Sequence, residues 1–128
     1  MRILLVERDD EMRRGVAGTL REDGFEVLDL GDGRELLQRV RAVLGADDGK
    51  TPTAVVAGSC STAPACLDVL SAVRDADRDV PVILATAPAD RASGAEAYRL
   101  GADAVVDEPL DPDQVLAALE LVLAQRSD

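Results

Sequence analysis

The chain has 128 residues, 47% of them hydrophobic, which is the size of one domain with apolar content for one buried core. Its 25 acidic against 14 basic residues give a formal charge of −11, which argues against binding DNA, RNA or an anionic membrane surface through this domain. There is no histidine, and the only cysteines are Cys60 and Cys66, so zinc sites, Cys/His nucleophilic pairs and a histidine base are excluded within this chain.

The N-terminal stretch Met1-Arg2-Ile3-Leu4-Leu5-Val6-Glu7 is too short and too quickly charged for a secretory signal, and no apolar run reaches a membrane span of roughly 20 residues. A cytoplasmic protein is expected. Ile3–Val6 is a first strand, followed by a helix over about Glu11–Glu22 that stops at Asp23-Gly24, where glycine can adopt the left-handed terminal conformation. Phe25–Leu28 is a second strand, and after Gly31-Asp32-Gly33 a second helix covers about Arg34–Leu44. Gly45-Ala46-Asp47-Asp48-Gly49-Lys50-Thr51-Pro52 has the composition of a mobile loop. Beyond it come the strand Ala54–Ala57, a helix over about Ala65–Arg74, the strand Val82–Ala85 and a helix over about Arg91–Leu100 that ends at Gly101. Ala104–Val106 is a fifth strand. The fifth helix begins at Asp111-Pro112, with Asp111 suited to the N-cap and Pro112 to the first helical position. Two cysteines in a chain of cytoplasmic type are more often free thiols than a bridge.

Such alternation of short apolar runs with longer amphipathic ones implies an α/β fold: a (βα)5, doubly wound, five-stranded parallel sheet. Ligands of such sheets sit beyond the carboxyl ends of the strands. Those ends are Glu7-Arg8-Asp9-Asp10, Gly58-Ser59, Thr86-Ala87 and Asp107-Glu108-Pro109. Three segments carry a specific resemblance: Arg2-Ile3-Leu4-Leu5-Val6-Glu7 with Met12-Arg13-Arg14, Val80-Pro81-Val82-Ile83-Leu84-Ala85-Thr86-Ala87, and Leu100-Gly101-Ala102-Asp103 followed by Pro109. In order and spacing, over nearly the whole chain, they resemble receiver domains of the two-component response-regulator family. The resemblance implies a flavodoxin-like receiver topology, one receiver-like domain over residues 1–128, and an effector domain that is absent or lies outside this sequence.

A functional receiver uses two acids after strand one to hold Mg²⁺, an aspartate after strand three as nucleophile, a Thr or Ser after strand four, and a lysine after strand five. Carried over by position, Glu7 matches the first acid and Thr86 the hydroxyl. Arg8 stands at the second acid, a fixed cation where a metal would sit. Gly58 stands at the nucleophile and has no carboxylate. Neighbouring Ser59 faces the other way along the strand and has no base to activate it. Glu108 replaces the lysine, Val105 holds the place of the aromatic switch residue, and Thr62 and Cys66 replace the proline and glycine of the loop after strand three. Tyr98, the one tyrosine, lies in the fourth helix, which takes it out of that aromatic role.

The reversed charges of Arg8 and Glu108 suggest a pair across the emptied pocket, with Gly58 leaving room for the arginine fork; equally open is an Arg8 extended into water beside Glu7, Asp9 or Asp10. Without phosphate, Thr86 is expected to cap or pack locally. The run Glu7, Asp9, Asp10, Glu11 is expected to form a solvated start of the first helix, favoured by its dipole, in preference to a metal site. On the fifth helix Val115, Leu116, Leu119, Val122 and Leu123 form a core stripe, while Ala117, Leu121 and Ala124 form a second stripe suited to a partner subunit or effector.

The expectation is therefore a non-enzymatic pseudo-receiver with no cofactor or metal, acting in signal transduction or transcriptional regulation by contact with a protein partner or by homodimerisation through the fourth and fifth helices. No direct contact of this domain with nucleic acid or membrane is expected. Two alternatives are a domain sensing a small molecule in the degenerate pocket around Arg8, Gly58 and Glu108, and a receiver phosphorylated at an unexpected residue.

Overall fold

Parallel strands covered on both faces need apolar side chains at successive positions, and Leu4-Leu5-Val6, Ala54-Val55-Val56-Ala57 and Val82-Ile83-Leu84-Ala85 supply them. The computed structural model describes residues 2–31, 38, 42, 54–58, 65–76, 79–86 and 91–126. Strands β1 (Arg2–Val6), β2 (Glu26–Leu30), β3 (Ala54–Ala57), β4 (Val82–Thr86) and β5 (Ala104–Asp107) form one parallel sheet in the order β2-β1-β3-β4-β5. Helices α1 (Asp10–Glu22), α2 (Ala65–Ala76), α3 (Arg91–Arg99) and α4 (Pro112–Arg126) correspond to the first, third, fourth and fifth expected helices. The expected second helix is covered only at residues 38 and 42; it and the loop 45–52 otherwise lie outside the described residues, as do Ser59, Cys60, Thr62, Ala87 and the side chain of Cys66.

Alternation along the strands divides the core in two. Ile3, Leu5, Ala54, Val56, Ile83 and Ala85 face α1 and α4, where they meet Val16, Ala17, Leu20, Val115, Leu119 and Val122. Leu4, Val6, Val55, Ala57, Val82 and Leu84 face the other way, against Val69, Leu70 and Val73 of α2 and Ala97 of α3. Each face is a continuous apolar layer, which is why both parities of the central strands are apolar.

Local chemistry sets the helix ends. Asp9 caps α1, its Oδ1 accepting from the Met12 N–H at 3.0 Å. At the other end Gly24, with φ of 97°, donates to the Arg21 carbonyl while Phe25 donates to Leu20, so Phe25 belongs to the terminating motif and not to β2. The second strand instead starts at Glu26 and runs to Leu30, two residues past its expected end, because Leu30 pairs with Val6. Asp29 hides this extension in the sequence; its carboxylate is held by Arg13 at 3.4 Å and Arg21 at 3.3 Å. The fifth helix starts as expected, with Asp111 Oδ1 accepting from Asp113 at 2.8 Å and Gln114 at 3.3 Å.

Below the amino ends of β4 and β5, Arg74 in the last turn of α2 ties three segments together. It donates to the Val80 carbonyl at 2.6 Å, to the Gly101 carbonyl at 2.6 and 3.2 Å, and to Asp103 Oδ2 at 3.1 Å. The same Asp103 oxygen accepts from the Val82 N–H at 2.8 Å. Gly101, at φ of 105°, lies so close that a Cβ there would stand 2.9 Å from Arg74 Nε.

Candidate functional site

At the carboxyl end of the sheet, strand parity decides what gathers. Glu7 continues the row of Ile3 and Leu5, and Gly58 continues the row of Ala54 and Val56, so both face the α1/α4 layer. Glu7 is completely buried, with Oε1 accepting from the Asp9 N–H at 3.0 Å. Gly58 donates its N–H to the Val6 carbonyl at 2.8 Å. A Cβ on Gly58 would lie 2.3 Å from Glu7 Oε2 and 2.6 and 2.8 Å from Leu110 Cδ1 and Cγ. The space over Gly58 is therefore filled by the Glu7 carboxylate and the buried Leu110. This corrects the expectation that glycine here leaves room for the Arg8 fork.

Of the other expected residues, Arg8 is exposed and Glu108 is half-buried, its N–H donating to the Thr86 carbonyl at 2.8 Å. Thr86 is buried and has the opposite parity, continuing Val82 and Leu84 toward α3. Helix α3 passes beside it at Gly94, where a Cβ would make ordinary contact at 3.9 Å with both Thr86 Oγ1 and Val105 Cγ1. Tyr98, more than half exposed, reaches from α3 to β5, where its hydroxyl accepts from the Val105 N–H at 3.2 Å. Thus an aromatic side chain lies against the backbone at Val105 although none is attached to it. Next to this region Asp107, Glu108, Pro109, Leu110, Asp111, Pro112 and Gln114 line an open depression of about 360 Å³.

Of the acidic run expected to form a solvated helix start, Asp9, Asp10 and Glu11 are exposed there, whereas Glu7 is fully buried at the end of β1, which corrects that part of the expectation. Asp9 is the cap, Asp10 and Glu11 occupy the first turn, and Asp10 Oδ1 accepts from Arg13 at 2.6 Å. Replacing Asp9 with Ala is expected to cost about 1 kcal/mol of stability in urea unfolding, the usual worth of such a cap. Arg13 also donates to the Glu7 carbonyl at 3.0 Å and lies over Gly31, where a Cβ would be 2.9 Å from its Nη1. The hydrogen bond that Arg13 donates to Asp10, with the charges of Asp10 and Asp29 adding to it against a burial penalty, raises the pKa of the Arg13 guanidinium above its usual value.

Arg13, Leu110 and Arg74 were not legible as site or framework residues from periodicity. A signal existed for two of them: Leu110 is a lone apolar residue between Pro109 and Asp111, and Arg74 closes a helix, where a cation can reach free carbonyls. On α4, Val115, Leu119 and Val122 are buried and Leu116 and Leu123 partly so, whereas Ala117, Leu121 and Ala124 are exposed. Among the described residues no helix is long and apolar enough to cross a membrane.

No family model matches the chain. It is 28% identical over 127 residues to the DNA-binding response regulator MtrA of Mycolicibacterium smegmatis, covering 99% of this chain and 52% of the relative. The chain thus spans about half the length of such relatives. The fold superposes on a response regulator receiver domain protein from Clostridium thermocellum with a TM-score of 0.79 at 18% identity, covering 98% of this chain and 96% of that one. It superposes on the chemotaxis response regulator CheY4 of Vibrio cholerae with a TM-score of 0.74 at 23% identity, covering 94% and 97%. The fold is the flavodoxin-like α/β fold of these receivers, and sequence relatives and fold neighbours together support a receiver domain of the response-regulator type.

Proposed function

We propose that this receiver-type domain serves two-component signalling and transcriptional regulation as a phosphorylation-independent module that transmits by protein contact, without catalysis. One observation carries the reading: the residue that follows β3 is Gly58, and the volume a side chain would need there is taken by Glu7 and Leu110. An aspartyl nucleophile has neither a carboxylate nor a place at this position. The acids that would have to hold a divalent cation are drawn into the start of α1, Asp9 as its cap and Glu7 Oε1 as acceptor of the Asp9 N–H, while a fixed cation, Arg8, stands at the position of the second acid.

With Glu108 at the strand-five position, a phosphoryl group would meet a carboxylate in place of a cation, which is repulsive. The ligand-sensing alternative draws no support at Gly58, where side chains already fill the space. The contact surface we assign is the exposed stripe Ala117, Leu121 and Ala124 of α4, facing a second copy or an effector segment.

Incubation with a small-molecule phosphodonor and Mg²⁺ tests the reading, with intact mass followed over time. The expected result is an unchanged mass. Gain of one phosphoryl group, at any residue, overturns phosphorylation independence.

A further inference from the structure

The side chain that fills the space over Gly58 belongs to a different part of the chain from the residues that flank it in sequence. Leu110 sits between β5 and α4, directly before the Asp111 cap and Pro112. It is 4% exposed and packs in the core layer with Ile3, Leu5, Val56 and Val115. Three contacts hold the residues on either side of it. The Glu108 N–H is bonded to Thr86, the Val115 N–H to the Asp111 carbonyl at 2.9 Å, and a Cβ on Gly15 of α1 would be 4.0 Å from Pro112 Cγ.

We propose that Leu110 is an internal plug: seated over Gly58 beside the Glu7 carboxylate, it locks the β5–α4 loop and the first turn of α4 onto the end of β3. In this device Gly58 is a packing requirement of the plug as well as a missing side chain. The lock fixes the angle at which α4 presents Ala117, Leu121 and Ala124, so the outward stripe has one setting. The inference concerns packing and stands whether or not the chain is ever phosphorylated.

Gly58→Ala, Leu110→Ala and the double variant test it, using thermal unfolding and amide hydrogen exchange. Gly58→Ala is expected to lower the midpoint by several degrees and to speed exchange of the Glu108 N–H at least about tenfold. The Gly24 N–H, at the far end of α1, serves as the unaffected reference. Leu110→Ala should speed the same amide. In the double variant the new methyl enters volume the leucine has left, and the Glu7 carboxylate, the end of a flexible chain, can turn aside. The double loss should therefore be smaller than the sum of the single losses. If Gly58→Ala alone does not fold, a folded double variant gives the same support. Unchanged midpoint and exchange in Gly58→Ala, strictly additive losses, or a double variant that fails to fold while Leu110→Ala folds would each overturn the plug.

Discussion

Arg74→Ala is expected to lower the unfolding free energy by about 2–4 kcal/mol, measured by urea unfolding at an unchanged m-value, with a fall of about 10 °C in midpoint. The guanidinium is 16% exposed and its partner Asp103 20%, so water replaces little of what is lost. Removing the side chain strips the donor from the Val80 and Gly101 carbonyls and takes away the cation that shares Asp103 Oδ2 with the Val82 N–H. The loss is that of charge-assisted bonds to groups that stay partly buried, which costs more than an exposed ion pair.

Arg74→Lys should recover less than half of it. One ammonium cannot span three acceptors that a planar fork reaches together. Arg74→Ala combined with Asp103→Ala should cost less than the two separately, because each single change leaves the other partner without its opposite charge; additive losses would rule out the shared network.

The same network shows why some of this protein was legible in its sequence and some was not. Helix punctuation is local, so Gly24, Gly101 and Asp111 announce their roles through residue type and spacing alone, whereas a run of four acids hides which of them, Asp9, is the cap. Which side of the sheet Glu7, Gly58 and Thr86 take is not local information: both parities of the central strands are apolar, and the strand register together with the helices on each face decides it. Asp29 breaks the apolar patterning within β2, and only the arrival of Arg13 and Arg21 from α1 makes a carboxylate acceptable there. Leu110 and Arg74 act across 52 and 27 residues respectively, through contacts with Gly58 and Gly101 that no local window contains. The absence of a carboxylate at Gly58 is thus plain in the sequence. The side chains that fill its place are not.

Leu119→Ala should destabilise the protein by about 3 kcal/mol, whereas Leu121→Ala, two residues away on the same helix, should change stability by no more than about 0.5 kcal/mol. Leu119 is fully buried against the layer that contains Ile3, Leu5 and Ile83, so its truncation leaves a cavity in a close-packed core. Leu121 is 61% exposed, and its removal creates no internal void. Helix α4 is apolar on both sides, and this contrast separates the side that holds the fold from the side available for contact. Leu121→Glu extends the test to function. It should leave the unfolding midpoint near that of the parent, yet weaken association of a partner or a second copy by at least about tenfold, since a carboxylate would have to be desolvated at the contact. Sedimentation of the parent and the variant over a range of concentrations measures this for self-association, and an unchanged profile from a self-associating parent would move the contact surface away from α4.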